Sequence, residues 1–508
     1  MIHNGNNMRP KILALNASLR NGRWGLGINK LLQQLTQIKN KKELLQFLKT
    51  EAKSRFEQFL EAGRQDGLSF DELYRNLRKM PGNQGLCNSE IGMAAALWGA
   101  YQEGCEIKSI ALSSYFTPDG LGKNLDKLKE KCMSADGFLF CTPVYFGDRS
   151  SLGSDFIEFV RSDSELRSFF KGKPMAGVTV GAKRNGGQET ALIYQLLDMT
   201  NLGMLGVGND SETTSQYGGT LVGGDVGTAA DDEYGLNTAI GAGRRVGRIA
   251  RQIFWADSSR FNGPLRIIFW ILQDYENKAQ QLIKKMLSEY GENVESTILN
   301  FADSIIGRCL ACDICPTHVG LDSEYRCITK KKNDALKIFH KYFLGQDLIV
   351  PVIYSPRDRS KLSTVYQRFI ERTRYLRRGD YLFSDIPIMP FVAEEIGARE
   401  NMHIRLLTSL IRHHTVMLKA NIAYIHNSCI LNQSEVLEVW HNAVHQAIIL
   451  TVGRLTCIQQ SNQILYKPVG YVLSAAKDKE ISIEERARII QEDRFKRLKI
   501  DANARLKY

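Results

Sequence analysis

The sequence predicts an α/β protein with two doubly wound parallel sheets in tandem, the second of them degenerate. Two observations carry this prediction. Short apolar strands alternate with amphipathic helices along most of the chain, a pattern that gives a parallel sheet covered on both faces. The same cycle starts again near residue 264, and 508 residues are too many for one ordinary core.

Composition narrows the class of protein. The chain is 43% hydrophobic and 24% charged, which is typical of globular proteins. It has no apolar run long enough to span a bilayer, and its polar N-terminus lacks the apolar part of a secretory signal. We therefore expect a cytoplasmic protein that makes no use of a membrane, in which ten cysteines do not form a disulfide framework.

The net charge of +12 favours an anionic partner such as a phosphorylated cofactor. Nucleic acid is the rival partner. The basic residues are dispersed and no nucleic-acid recognition motif accompanies them, which argues against it.

The first cycle opens with the strand Lys11–Leu15, which leads into a polar loop over Asn16–Gly25. Residues 26–82 have helical spacing of their apolar positions and are predicted to be an inserted helical segment that ends at Pro81-Gly82. The α/β alternation then resumes. We expect helices over Ser89–Gly104, Leu121–Ser134, Phe156–Phe170, Glu189–Leu202 and Asn237–Arg251, and strands over Glu106–Leu112, Gly137–Thr142, Pro174–Val180 and Met204–Gly208.

The second cycle resembles the first. In the first cycle, a buried-type strand that begins after Asp136 is followed by Pro143-Val144-Tyr145 and then by Asp148-Arg149-Ser150. In the second cycle, a similar strand that begins at Asp347 continues through Pro351-Val352-Ile353-Tyr354 and is followed by Asp358-Arg359-Ser360. A duplicated domain explains this similarity most simply. We expect strands over Leu265–Leu272, Val294–Ile298 and Asp347–Tyr354, and helices over Asn277–Tyr290, Ala335–Phe343, Leu362–Tyr375, 404–420 and 434–452. The predicted domains are 1–255, 256–475 and a charged tail, 476–508, that is a solvated surface helix or partly disordered.

The loop after the first strand has the groups that hold a phosphate. Ser18, Arg20 and Asn21 supply a hydroxyl, a guanidinium and main-chain donors. An ordinary turn is the alternative, because Asn21 and Gly22 are also typical turn residues.

Two further loops follow strands at the edge where open α/β sheets bind ligands. Tyr145 and Phe146 could line a planar ring, and Gly147 would let main-chain N–H groups approach it, while a glycine pair could close over the other side. Surface packing and a tight turn are the alternatives. The predicted binding residues in these loops are Tyr145, Phe146, Gly147, Gly186 and Gly187.

Over about residues 10–251, apart from the insertion, the order and spacing of four stretches resemble the NADPH-dependent FMN reductase branch of the flavodoxin-like family. The stretches begin at Asn16, Thr142, Gly186 and Gly235. The resemblance implies that the residues named above bind FMN, together with Thr142, Pro143, Val144 and Gln188 of the matching stretches.

In this family the phosphate loop leads directly into its helix, so the resemblance also implies that the insertion splits the loop here and that Asn88 and Ser89 return to complete it. If the helix of the phosphate loop instead begins near Gly27, the assignment of Asn88 and Ser89 fails. The resemblance further implies that NADH or NADPH is the co-substrate and that the acceptor is a quinone, a nitro compound, a flavin or a specialised metabolite. Flavin accepts hydride itself, so no catalytic acid or base is assigned.

The second half carries a compact cysteine motif. Cys309, Cys312 and Cys315 follow the spacing Cys-x-x-Cys-x-x-Cys, and Cys327 comes eleven residues later. Tight thiolate spacing of this kind can hold an iron–sulfur cluster. It resembles the motif of the related iron–sulfur flavoproteins, although the final gap is longer here. Zinc with His318 as a ligand, and cysteines without any metal, are the alternatives.

The second cycle lacks the phosphate loop. Gln273-Asp274-Tyr275-Glu276-Asn277 follows its first strand, and two carboxylates there would repel a phosphate. We expect this copy not to bind FMN in the usual way. It could act as an intrachain partner that imitates the second subunit of a homodimer, or the protein could form a true homodimer.

Other functions remain open at this point. One is an iron–sulfur flavoprotein that passes single electrons to a partner protein. Another is a flavin-binding scaffold or sensor without catalytic turnover.

Overall fold

The structure is a computed structural model that describes residues 8–23, 25–63, 67–69, 71–72, 85–117, 119–210, 216–288, 293–312, 315, 321–329, 331–378, 381–461 and 483–507. The chain divides into two compact units, Met1–Arg251 and Gln252–Tyr508. The segment predicted to be a separate tail therefore belongs to the second unit. None of the helices in the described ranges combines the length and the apolar character that a membrane-spanning helix needs.

The first unit has a parallel sheet with the strand order β2-β1-β3-β4-β6. A short strand, β5, pairs with the start of β4. The order 2-1-3-4-5 is that of flavodoxin-like folds, so the predicted fold class is confirmed. The strands are β1 (Lys11–Asn16), β2 (Glu106–Ala111), β3 (Gly137–Pro143), β4 (Pro174–Gly181), β5 (Leu205–Gly206) and β6 (Gly218–Val222).

The predicted helices of this unit are present, although one of them is divided in two. The helix expected over Phe156–Phe170 is two helices, because the side chain of Asp163 accepts hydrogen bonds from the N–H groups of Glu165 and Leu166 and begins a new helix. Strand β6 was not predicted, since its two glycines disfavour a strand. The helices are α1 (Leu26–Gln37), α2 (Lys41–Gly63), α3 (Asn88–Gln102), α4 (Leu125–Met133), α5 (Ser151–Ser162), α6 (Ser164–Phe170), α7 (Gln188–Asn201) and α8 (Glu233–Phe254).

Helix α3 is buried on almost every side. The inserted helices α1 and α2 pack on it, and the indole of Trp98 donates to the carbonyl oxygen of Ile38 at 3.1 Å. Its contact with α8 depends on small residues: a Cβ on Gly99 would lie 2.2 Å from the oxygen of Ile240, and one on Gly243 would lie 1.7 Å from the oxygen of Ala96. The insertion thus covers the helix on which the first loop depends. The predicted end of the insertion at Pro81-Gly82 lies outside the described residues.

The second unit has the same strand order within its own sheet. Strands β8, β7, β9, β12 and β14 lie side by side and parallel, and the short strands β11 and β13 extend the fourth and fifth positions. The repeated 2-1-3-4-5 order is what a duplicated domain would give. The strands are β7 (Leu265–Tyr275), β8 (Val294–Asn300), β9 (Leu348–Ser355), β10 (Leu362–Thr364), β11 (Pro387–Ile388), β12 (Phe391–Glu395), β13 (Val416–Met417), β14 (Asn421–His426) and β15 (Cys429–Ile430).

Two helix predictions in this unit are corrected. The helix expected over Leu362–Tyr375 begins as a strand, β10, because residues 362–364 pair antiparallel with the end of β7. The helix expected over 404–420 ends at Leu410, since His414 takes a φ of 58° and the chain then enters β13. The helices are α9 (Lys278–Ser288), α10 (Ala335–Phe339), α11 (Tyr366–Arg372), α12 (Arg374–Arg378), α13 (Met402–Leu410), α14 (Gln433–Ser461) and α15 (Ile483–Arg505).

The C-terminal helix α15 is not a solvated surface helix. Ile490 and Ala502 on it are buried, and Leu506 just after it is buried as well. The guanidinium of Arg505 lies 2.5 Å from the buried carboxylate of Asp347. Three of its arginines, Arg494, Arg497 and Arg505, instead pair with the buried carboxylates of Asp322 and Asp347.

We expect His413 to make the second unit sensitive to mild acid. Burial, with the charge of Arg377 as a lesser cause, lowers the pKa of His413 to about 3. The unfolded chain takes up a proton as pH falls through about 6.5, whereas the folded unit does not, so stability is lost as pH falls. Between pH 7 and pH 5 the loss from this residue is roughly 2 kcal/mol.

Urea unfolding at the two pH values measures this effect. In His413→Phe the fall in the free energy of unfolding between pH 7 and pH 5 should be smaller by that amount. Replacement of the exposed His426 by phenylalanine is the control and should keep the wild-type dependence. Equal pH dependence in wild type and His413→Phe would contradict the prediction.

Candidate active site

The predicted site residues of the first unit lie at one edge of its sheet. Strands β1, β3 and β4 are neighbours, with Asn16 opposite Cys141 and Thr142 opposite Thr179. The loops that begin at Ala17, Val144 and Ala182 therefore leave the sheet side by side at the carboxyl ends of the strands. Open α/β sheets bind their ligands at this edge.

The first loop keeps several donors unused. The side chain of Asn21 holds the loop in place, since it accepts from the Asn16 amide at 2.8 Å and donates to the hydroxyl of Ser113 at 3.3 Å. The main-chain N–H groups of Ser18, Leu19 and Asn21 make no hydrogen bond to another described residue. The guanidinium of Arg20 is exposed and likewise has no partner in the described part of the chain. A cation and three N–H donors thus remain for an anion.

A buried carboxylate joins the two segments that the insertion separates. Glu90, in the first turn of α3, is 1% exposed. It accepts hydrogen bonds from the N–H groups of Gly22 at 2.7 Å and Arg23 at 2.8 Å on one side, and from that of Cys87 at 2.9 Å on the other. Burial raises the pKa of Glu90, while these donors act in the opposite direction. The loop is therefore continuous in space with α3.

The sequence prediction did not include Glu90. Its position was nevertheless visible, because a glutamate three residues after the residue that precedes a helix is the acidic half of a capping box. The insertion is tied in by a second contact, an ion pair between Arg23 and Glu51 at 2.5 Å that is nearly buried.

Asn88 and Ser89, which were predicted to complete the first loop, have different surroundings in the structure. Helix α3 begins at Asn88, and the separate helix α1 begins at Leu26. The Asn88 amide donates to the oxygens of Gly223 and Asp225 and accepts from the N–H of Ala229, so it faces the loop after β6. Ser89 is buried beside Glu90, and its hydroxyl has no hydrogen bond to any residue that the structure describes. Of the pair, only Ser89 has a side-chain group without a hydrogen-bond partner among the described residues.

The second loop is a tight hairpin with two exposed aromatic rings. Tyr145 and Asp148 exchange main-chain hydrogen bonds at 2.8 and 2.9 Å. Phe146 and Gly147 between them have φ values of 51° and 83°, the pattern of a type I′ turn. Positive φ is rare for a bulky residue and costs energy, yet the Phe146 ring is fully exposed at the tip.

Thr142, just before this hairpin, holds it against the first loop. Thr142 is fully buried, and its hydroxyl accepts from the N–H of Ser150 at 3.0 Å. The hydroxyl of Ser150 in turn donates to the oxygen of Ala17 at 2.6 Å. Thr142 therefore positions the loops. Pro143 and Val144, which follow it, are half-buried and lead into the hairpin.

The third loop touches the second. A Cβ on Gly187 would lie 2.6 Å from the Cα of Gly147, and Gly187 itself has a φ of 98°. Gly186 forms the turn before it, where a Cβ would meet the oxygen of Lys183 at 2.8 Å. The buried amide of Gln188 donates to the oxygens of Lys183 and Leu221, so it braces the loop. Gly147 and Gly187 therefore lie in contact, whereas the side chain of Gln188 bonds to the main chain of neighbouring segments.

The four predicted metal ligands are not gathered. Cys312 is exposed, Cys309 and Cys315 are half-buried, and Cys327 is buried. Cys309 has a long contact of 4.0 Å with the guanidinium of Arg374. Among the described residues there is no group of three or more His, Cys, Asp or Glu side chains that could share a metal ion. His318 lies outside them. The cysteines do not fit a cluster in this arrangement, and the metal site stays a prediction.

The corresponding edge of the second unit is filled by its own side chains. The buried carboxylate of Asp274 accepts from the N–H groups of Tyr275 at 2.7 Å and Ala279 at 2.9 Å, and so occupies the N-terminus of α9. Burial raises the pKa of Asp274. Tyr275 stacks on Tyr354, whose hydroxyl donates to Glu395 at 2.8 Å. This arrangement agrees with the expectation that the second copy does not take a phosphate there.

Comparison with known proteins decides the family. Residues 88–216 match the sequence model of the family described as NADPH-dependent FMN reductase. An iron–sulfur flavoprotein of Methanocaldococcus jannaschii is 32% identical over 182 residues, which cover 33% of this chain and 92% of the relative. The chain belongs to this family of FMN reductases and iron–sulfur flavoproteins.

The chain is also similar to several solved structures, two of which are described here. A WrbA-like flavodoxin from Agrobacterium tumefaciens is 22% identical, with a TM-score of 0.24 over 32% of this chain and 88% of that one. The flavoenzyme NAD(P)H:(acceptor) oxidoreductase FerB from Paracoccus denitrificans is 16% identical, with a TM-score of 0.18 over 38% of this chain and 73% of that one.

The residues at the edge of the first unit's sheet fit the cofactor of the FMN reductase family. A phosphate monoester needs several donors and positive charge, and the first loop has three unused N–H groups and the Arg20 guanidinium. Ser89, which precedes Glu90 in α3, has a buried hydroxyl with no partner among the described residues. The exposed rings of Tyr145 and Phe146, one strand away, can cover a planar ring system.

Replacement of Gly187 by alanine tests the contact between the second and third loops. The added Cβ would meet Gly147 and also suffer the positive φ, so we expect a loss of roughly 1–3 kcal/mol in unfolding free energy and weaker FMN binding. Gly263→Ala is the matched control, because its φ is 109° but nothing lies within 4 Å. Urea unfolding and FMN titration of both variants separate crowding from backbone strain. Equal behaviour of the two would contradict close packing of the loops.

Proposed function

We propose that this protein is an FMN-dependent oxidoreductase that takes electrons from NADH or NADPH and passes them to a small organic acceptor such as a quinone, a nitro compound, a flavin or a specialised metabolite. The observation that carries the proposal is the set of unused donors at Ser18–Asn21, which Glu90 holds against the first turn of α3. An anion pocket at this edge of a flavodoxin-like sheet suits the monoester end of a mononucleotide.

The protein's part in the reaction is to bind and to orient. FMN, when bound, supplies the hydride-accepting chemistry. Arg20 and Ser89 would hold the phosphate together with the main chain of the first loop. Tyr145 and Phe146 would cover the ring system and leave one face for the nicotinamide and then the acceptor. The close approach of Gly147 and Gly187 keeps the second and third loops together at this edge of the sheet.

A spectrum and an activity measurement test this proposal. The purified protein should be yellow, or become so on addition of FMN, and should oxidise NADH or NADPH steadily when a quinone is present. A colourless protein that FMN cannot reconstitute would refute the proposal. A yellow protein that turns over very slowly with every acceptor would favour the alternative of a flavin-binding sensor or scaffold.

We also expect one FMN per chain. The first unit has free donors at its first loop, whereas the carboxylate of Asp274 fills the matching position of the second unit. Titration of apoprotein followed by flavin fluorescence measures the stoichiometry. Two equivalents bound with similar affinity would contradict the assignment of a single site.

A second candidate is an iron–sulfur flavoprotein that passes single electrons to a partner protein. The name of the Methanocaldococcus jannaschii relative and the spacing of Cys309, Cys312 and Cys315 favour it. The described geometry of the cysteines does not. Iron and labile sulfide analysis of anaerobically purified protein distinguishes the candidates: both elements in stoichiometric amounts support the cluster, and their absence supports the flavin enzyme alone.

A further inference from the structure

The first loop and helix α3 are joined by contacts rather than by a short stretch of chain. The N–H of Arg23 donates to the carboxylate of Glu90 at 2.8 Å, although the two residues are 67 positions apart in the sequence. The insertion between them must return to its starting point, and closing so long a loop costs conformational entropy. The two ends of the insertion therefore have to be held together if the anion pocket of the first loop is to keep its shape.

Glu51, near the middle of the inserted helix α2, contacts both of these ends. Its carboxylate pairs at 2.5 Å with the guanidinium of Arg23, just before the insertion. Its main-chain oxygen accepts a hydrogen bond at 3.2 Å from the N–H of Leu86, just after the insertion. Arg23, Glu51 and Leu86 thus form a clamp across the two ends of the insertion.

The guanidinium of Arg23 strengthens this clamp. Arg23 is 2% exposed, and its Nε donates to the main-chain oxygen of Gly85 at 3.3 Å while its Nη2 meets Glu51. Gly85 in turn fits tightly against α2, since a Cβ there would lie 2.7 Å from the main-chain nitrogen of Arg55. A buried charge that loses its partner is strongly destabilised, so the ion pair favours a single arrangement of the two ends.

Helix α2 is itself held from a second direction. Leu44, Leu48 and Ala52 on it are buried. The main-chain oxygen of Ala52 lies against the loop after β6, where a Cβ on Gly227 would approach it to 2.9 Å. Glu51 therefore acts from a helix whose position does not depend on the first loop alone.

The clamp acts on the anion pocket through the main chain. The N–H groups of Gly22 and Arg23 are bound to Glu90, and the unused donors of Ser18–Asn21 directly precede them in the same loop. A shift of Arg23 would move these donors relative to one another. A phosphate is held well only when several donors converge on it, and binding groups need a rigid support to stay converged.

We propose that the insertion is a working part of the FMN site, and that Glu51 is a positioning residue that keeps the first loop in the shape that binds the phosphate. This inference rests on the function proposed above. Riboflavin has no phosphate, so the clamp should matter for FMN and not for riboflavin. Because linkage is reciprocal, bound FMN should in return stabilise α2.

The double variant Arg23→Gln with Glu51→Gln tests the clamp, because it removes the ion pair and leaves the net charge unchanged. Fluorescence titration of the full-length apoprotein should show FMN binding about 3- to 30-fold weaker than in wild type, the range expected of residues that act through others, and unchanged riboflavin binding. Lys53→Gln with Glu57→Gln is the matched control, since this exposed pair lies on the same helix at 3.9 Å. Its FMN affinity should equal that of the wild type.

Hydrogen exchange provides a readout that does not depend on FMN affinity. In the apoprotein, the amides of Gly22 and Arg23 should exchange faster in the double variant than in the wild type or the control. In the wild type, addition of FMN should slow exchange over residues 48–57 of α2 and leave α6 unchanged. This last measurement needs no variant, so it tests the proposal even if the double variant does not fold.

A double variant with wild-type affinity for FMN would overturn this inference and leave the proposed function intact. Equal losses of FMN and riboflavin affinity would overturn it as well, because the ion pair would then serve general stability. Failure of the wild type to bind FMN would instead refute the proposed function. Unaltered exchange of Gly22 and Arg23 in the double variant would then refute the clamp separately.

Discussion

Replacement of Arg20 by alanine should weaken FMN binding roughly 10- to 100-fold while leaving riboflavin binding unchanged. The guanidinium of Arg20 is exposed, follows β1 at the ligand-binding edge, and has no partner within the described residues. A hydrogen bond to a charged group contributes about 1.5–3 kcal/mol, which corresponds to that range of affinity. Riboflavin has no phosphate, so its binding does not use this group.

Fluorescence titration of the apoprotein with both flavins measures the effect. Arg9→Ala is the matched control, because Arg9 is also exposed but precedes β1 at the opposite edge of the sheet. Arg20→Lys should be intermediate, since an ammonium keeps the charge and loses the bidentate geometry. A riboflavin affinity that falls as much as the FMN affinity would show that Arg20 does not bind the phosphate.

Replacement of Glu90 by alanine should have the largest effect on the stability of the first unit. Three N–H groups, those of Gly22, Arg23 and Cys87, would lose their acceptor in a buried site. Each unsatisfied donor costs about 1–3 kcal/mol, so we expect a loss of roughly 3 kcal/mol or more in unfolding free energy. FMN affinity should fall as well, because the first loop would no longer be held against α3.

Urea unfolding and FMN titration of Glu90→Ala, Glu90→Gln and Glu130→Ala measure the role of this carboxylate. Glu90→Gln keeps one acceptor oxygen and should lie between wild type and alanine. Glu130 is exposed on α4, and its replacement should change stability by less than about 0.5 kcal/mol. If Glu90→Ala behaved like Glu130→Ala, the two halves of the loop would not depend on this residue.

Much of the fold follows from local patterns in the sequence. The strands Lys11–Asn16 and Pro174–Gly181 are continuous apolar runs between turn residues, and such runs are typical of strands buried on both faces. The start of α3 near Asn88 was predicted because asparagine and serine are preferred at the position that begins a helix. The strand order then follows from the short right-handed connections that parallel sheets require.

Other elements depended on contacts that a local pattern does not contain. The strand Leu362–Thr364 forms because it can pair with the end of β7. Helix α15 is rich in charged residues, and it is partly buried because its arginines pair with Asp322 and Asp347 while Ala502 packs in an apolar cluster with residues of α14. The sequence shows the charges of such a helix but not their partners.

The position of the candidate site could be predicted better than the role of each of its residues. Ser18, Arg20, Tyr145 and Gly187 lie in loops at the carboxyl edge of the first unit's sheet, as the sequence predicts. Asn88 and Gln188, by contrast, use their amides to brace neighbouring loops. The amides of asparagine and glutamine can bind a ligand or brace a loop equally well. Residue type alone therefore does not separate a ligand-binding amide from a structural one.

A crystal structure of the protein with FMN tests the central claim most directly. We predict the phosphate within hydrogen-bond distance of the main chain of residues 18–21, the guanidinium of Arg20 and the hydroxyl of Ser89, with the flavin ring beside Tyr145 and Phe146. Phosphate density at residues 273–277 of the second unit, with the first loop empty, would contradict the account.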